Sequence, residues 1–111
     1  MPDIHQYATP YYTEVEFQVT SPSTNYDVDS NNATFHGKFG AGLFHGFANK
    51  AVIRTDQTIT VKVNSTSNDA VTVTTTDSPF TLAGVEINNI FITNASGSTA
   101  NVKILLTKVA A

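Results

Sequence analysis

Apolar and polar residues alternate with a period of two along most of the chain. Residues 13–20 place Val15, Phe17 and Val19 on one side and Glu14, Glu16 and Gln18 on the other. Ile59, Val61 and Val63 repeat this over 57–64, Val71 and Val73 over 70–76, and Val102, Ile104 and Leu106 over 101–109. A period of two is the mark of a strand with one face buried, and the many Thr and Val side chains suit a pleated surface better than a helix. Counting further runs at 33–39, 43–48, 51–55 and 85–93 gives about eight short strands. Polar or Pro-containing clusters at 21–23, 64–69, 77–79 and 94–99 separate them and supply turn chemistry. No window of ten residues carries a helical apolar stripe. The pattern predicts an all-β chain, an antiparallel β-sandwich of jelly-roll-like design. Val15, Phe17, Val19, Ile59, Val61, Val63, Val71, Val73, Ile87, Val102, Ile104 and Leu106 are expected to face inward.

Two stretches break the pattern. Residues 1–12 hold Pro2 and Pro10 with Tyr7, Tyr11 and Tyr12 and show no clear period, so they are expected to form an extended arm on a single domain of residues 13–111. Such an arm either covers its own sandwich or docks its tyrosines on a partner. The second stretch, 35–47, holds four of the seven Phe, two of the three His and four of the six Gly. It is expected to be a hairpin turning at 40–42. Its Phe35, His36, Phe39, Phe44 and His45 belong either to the core or to a contact surface.

Composition narrows the function. With 111 residues the chain is one domain, too short for a Rossmann or TIM-barrel enzyme. Thr, Asn and Ser make up 35 of the 111 residues, and charged residues only 14%, well below the roughly 25% of an average domain. There is no Cys, which excludes disulfides and thiolate metal sites. A net charge of -3 gives no reason to expect nucleic acid. The first residues lack a basic and apolar leader, and no apolar run reaches the ~20 residues of a membrane helix, so synthesis in a cytosol without a membrane partner is expected.

No constellation points to chemistry. A nucleophile needs an adjacent base, and no such motif is present. Asp27, Asp29 and Asn31 alternate like the opening of a calcium loop, but Asn32 stands at the sixth position where Gly is needed and Lys38 at the twelfth where Glu is needed. An Asx-rich turn is the expectation there. His5, His36 and His45 could in principle hold zinc, yet a His pair on a hairpin is more often structural. The three sequons at Asn32, Asn64 and Asn94 stand close to the roughly two that chance gives in so Asn-, Ser- and Thr-rich a chain and carry no weight. No catalytic residue, cofactor or metal is expected, and the chain is read as a non-enzyme.

The C-terminal half carries a resemblance. A strand ending Ile92-Thr93-Asn94, the turn Ser96-Gly97-Ser98, and then Ala100-Asn101-Val102-Lys103-Ile104-Leu105 are similar in style, over roughly residues 50–109, to small virion structural proteins of tailed bacteriophages. Head decoration (cement) proteins are the nearest likeness. The resemblance implies a virion location, the major capsid protein or other virion proteins as partners, and no catalytic residues. A low-charge, hydroxyl- and amide-rich surface suits such a part, because it packs by hydrogen bonds without desolvating many charges. Thr- and Asn-rich edge strands could also accept a neighbour's arm by strand addition. Self-association as a closed ring, a trimer first, is expected from the aromatic excess at 35–47. The competing class is a carbohydrate- or receptor-binding sandwich, weakened by the absence of Trp and by three of the four Tyr lying in the arm.

Overall fold

A computed structural model describes residues 11–39 and 47–108. It contains eight strands in two antiparallel four-stranded sheets. In chain order they are β1 Tyr11–Val19, β2 Ser23–Asp27, the helices α1 Val28–Asn31 and α2 Ala33–Phe39, β3 Ala48–Thr55, β4 Ile59–Val63, β5 Val71–Val73, β6 Phe80–Ile87, β7 Ile90–Asn94 and β8 Ala100–Lys108. One sheet runs β1-β8-β3-β6 and the other β2-β7-β4-β5. Only β4 and β5 are consecutive strands paired in one sheet; every other link between described strands crosses between sheets. This strand order is the double Greek key of a jelly roll, so the expected sandwich and its jelly-roll character both hold.

Alternation sets the register. β1 pairs with β8 without interruption from Tyr11↔Lys108 to Val19↔Ala100, which puts Val15 beside Ile104 and Val19 beside Ala100 on the inner face. β8 pairs on its other side with β3, aligning Ile104 with Ile53 and Leu106 with Ala51. The facing sheet contributes Ile59, Val61, Val73, Ile90 and Ile92, all buried. Because a slip of one residue would turn each of these rows to water, one register is strongly preferred. Phe17 and Tyr26 stack with centroids 5.3 Å apart and close the sandwich along its β1–β2 side.

Several expectations are corrected. Residues 33–39 are helical, not the first arm of a hairpin; the expected turn at 40–42 and the run from 43 lie outside the described residues up to Gly46. Phe35 and Phe39 are four apart, the spacing of one helix face, and both are fully buried. Gly37 and Thr34 are poor helix formers, so burial of that Phe pair rather than propensity holds the helix. The run 85–93 is two strands, because Asn88-Asn89 is a turn between Ile87 and Ile90. β2, with no alternating pattern, was not expected at all. Val71, expected inside, is 36% exposed at the start of a three-residue edge strand. Tyr11 and Tyr12, assigned to the arm, begin β1 and pair with Lys108 and Thr107.

Candidate interaction surface

The outer face of the β1-β8-β3-β6 sheet presents side chains in rows set by the register. Glu16, Lys103 and Arg54 stand side by side across β1, β8 and β3. The next row is Glu14, Leu105, Val52 and Thr81, and the one after it Tyr12, Thr107, Lys50 and Ala83. Acidic groups therefore occupy β1 and basic groups β8 and β3, with half-buried Leu105 and Val52 between them. Lys103 Nζ lies 3.4 Å from Glu16 Oε2, and both side chains are well exposed, so the pair adds little stability. Glu14, Lys50 and Arg54 make no side-chain hydrogen bond or ion pair among the described residues. Tyr12 is 63% exposed. By contrast, the outer row Thr72, Thr60 and Thr93 on the other sheet is uncharged.

At one end of the charged face lies an open recess of ≈ 320 Å³, lined by Glu16, Arg54, Asp56, Ser78, Asn101 and Lys103 among others. Asn101 fixes its floor: its Nδ2 donates to Asp56 Oδ2 at 2.6 Å and its backbone N–H to Oδ1 at 2.7 Å. These two bonds, the side-chain one first, hold the Asp56 carboxyl below the usual carboxylate range. Both oxygens of Asp56 are thus engaged, while Arg54, also in the lining, is exposed.

The sequence-derived candidates fall in different places. Phe35 and Phe39 are core side chains rather than contact residues. His36 is exposed, and its Nδ1 meets Asp29 Oδ1 at 2.8 Å. Tyr12 lies on the charged face; Tyr11 is its neighbour in β1. Tyr7, Phe44 and His45, with His5, lie outside the described residues. Among the candidates whose side chains are described, only Tyr12 joins the surface described above. The residues that build it with Tyr12 are Glu14, Glu16, Lys50, Arg54 and Lys103. The period-two spacing of Lys50, Val52 and Arg54 was the available signal for β3.

The 27–31 segment is a helix cap. Asp27 Oδ1 accepts from Ser30 N at 3.1 Å and from Asn89 Nδ2 at 2.8 Å. Asn89 Oδ1 in turn accepts from Asp29 N, tying α1 to the β6–β7 turn. That turn is further held by Asn64, whose Oδ1 accepts from Asn88 N at 2.7 Å and whose Nδ2 donates to Glu86 O. Among the described residues no three His, Asp or Glu side chains gather as a metal site would need. No described helix is long and apolar enough to cross a membrane.

The sheet edges are managed. α2 packs against β1. β2 carries a register shift and Asn25 at φ 53°. β5 has three residues, and β6 bulges at Gly84, φ 76°. Covering, bulging and shortening all discourage pairing with another chain. Strand addition, expected from the edge composition, therefore has little straight backbone to use, and the open sheet face is the better contact surface.

No protein-family model matches the chain, and comparison with curated proteins gives no match. The class defined by the geometry is an all-β jelly-roll domain with a charge-patterned outer face.

Proposed function

We propose that the protein is a virion structural component, a decoration or cement protein that binds a viral head lattice through protein–protein contacts and acts without catalysis. The observation that carries this reading is the β1-β8-β3-β6 and β2-β7-β4-β5 strand order. Viral capsid domains are among the proteins built this way, a fold-level analogy in support of the likeness of residues 50–109 to phage virion proteins. Low charge, bulged or covered edges and a turn network built from Asn side chains suit a part that must stay folded within an assembly. Its partners in this reading are the major capsid protein or neighbouring virion proteins, together with further copies of itself. The same fold also serves lectins, but among the Phe and Tyr side chains whose burial is described Tyr12 alone is exposed enough to act as a sugar platform.

The test is sedimentation of the purified full chain with head particles of the phage whose genome carries its gene, prepared without this protein. Saturable co-sedimentation that salt-washed particles regain on re-addition supports the reading. A chain left in the supernatant at every concentration overturns it, and binding on a glycan array would favour the lectin class instead.

A further inference from the structure

We infer that the outer face of the β1-β8-β3-β6 sheet is a two-fold contact between two copies of this chain. The proposal deepens the self-association in the functional reading and rests on that part of it, not on the virion assignment. It follows from the register. A two-fold axis laid along β8, in the plane between two facing sheets, keeps each row at its own level and exchanges β1 with β3 of the other copy. Glu16 then faces Arg54 of the second copy, and Arg54 faces its Glu16. One level down, Glu14 lies over Val52 while Leu105 meets its own counterpart. At the next, exposed Tyr12 lies over Lys50, a cation–π arrangement. Every contact off the axis occurs twice, as an isologous interface requires.

The charge pattern selects a second copy as the occupant. The face is self-complementary in charge: acidic on β1 and basic on β3, with Arg54 and Lys50 lacking side-chain partners among the described residues. The axis also brings Lys103 near its own copy, and the repulsion is offset in part because each Lys103 sits 3.4 Å from Glu16 of its own chain. The contact is two-fold because both charge types share one face; a ring of three would need them on different faces. The size sets its strength. Three strands ~4.8 Å apart and nine residues of ~3.3 Å each give roughly 430 Å² per copy, the range of weak, transient contacts. Such a contact forms when copies are concentrated, as on a lattice.

Sedimentation velocity of the full chain from 1 µM to 1 mM, at ~20 mM and ~500 mM salt, tests this. A monomer–dimer equilibrium that salt weakens is expected. Glu16→Lys alone and Arg54→Glu alone should each weaken it at least tenfold, since each places like charges opposite one another. An equimolar mixture of the two variants should restore association, because Lys at 16 then meets Glu at 54 and the unaltered Glu16 of one chain meets Arg54 of the other. Circular dichroism confirms that both variants fold. A wild-type chain that stays monomeric at 1 mM and low salt overturns the proposal. Association that both variants retain overturns this interface while leaving self-association through another surface intact, and lattice binding is read separately.

Discussion

Asn94 holds the end of the sandwich together, and replacing it measures what a buried amide contributes here. Its side chain is fully buried. Nδ2 donates to Val19 O and Ser98 O, each at 2.8 Å, and Oδ1 accepts from Ser96 N at 3.0 Å. One side chain thus links the end of β1 to the β7–β8 loop. Asn94→Ala removes three hydrogen bonds, each with a net value of about 1 kcal/mol. Ser98 O retains Ser96 Oγ at 2.9 Å, and the exposed loop groups can be rehydrated. The Val19 carbonyl, beside a side chain with no exposure, loses this donor without access to water. The expected loss is about 2–4 kcal/mol, or a fall in melting temperature of roughly 9–17 °C for a domain of this size. Asn94→Asp sharpens the test. It keeps the acceptor but turns a charged oxygen toward two carbonyls, so near pH 7 it should destabilise more than Asn94→Ala. Burial raises the folded-state pKa of the introduced carboxyl above its unfolded value of about 3.9. Stability is then greatest below the unfolded pKa and falls as pH rises through the folded one. Urea melts by circular dichroism at pH 4 and pH 7 read both effects. A cost under about 0.5 kcal/mol for Asn94→Ala, or no pH dependence of Asn94→Asp relative to wild type, would refute the assignment.

Phe39→Ala should cost about 3–5 kcal/mol by opening the core beneath α2, whereas Val71→Ala should change stability by less than about 0.5 kcal/mol; equal effects in chemical denaturation would contradict these placements. Gly84→Ala meets no atom within 4 Å but must adopt φ 76°, so a loss of about 1–2 kcal/mol is expected from backbone strain alone, and an unchanged melt would show that the bulge relaxes freely. Asp56, held below its ordinary pKa by Asn101, contributes stability that is present above the unfolded pKa near 3.9 and is lost as pH falls through the lower folded value. Asp56→Asn should therefore flatten the acid limb of the stability profile, a comparison made by thermal melts from pH 2 to 7.

How much of this could be read from the sequence depended on whether the relevant neighbours were local. β1, β4 and β8 declare themselves by alternation, and the polar run 64–69 marks its hairpin without ambiguity. The Asn88-Asn89 turn was missed although the apolar parity breaks there: Ile87 and Ile90 are an odd number of residues apart, which one strand with a single inner face does not permit. α2 was missed because Gly-rich surroundings suggested a hairpin, while the spacing of Phe35 and Phe39 was that of a helix. β2 has no alternating apolar signal to find; its residues are strand because β7 pairs with them and because Phe17 stacks on Tyr26. The charged face was readable only in fragments. Glu14 and Glu16 were evident as one strand's outer side, but nothing local says that Lys103 and Arg54 stand beside them. Sheet order creates that surface.

The proposal that the chain is a virion part, which requires its gene to lie in a phage genome, is tested most directly by quantitative mass spectrometry of purified particles of that phage. Peptides of this protein at a fixed, structural ratio to the major capsid protein, retained through density-gradient purification and located on the head exterior by labelling, are the expected result. A protein abundant in the infected-cell lysate but missing from those particles would contradict it.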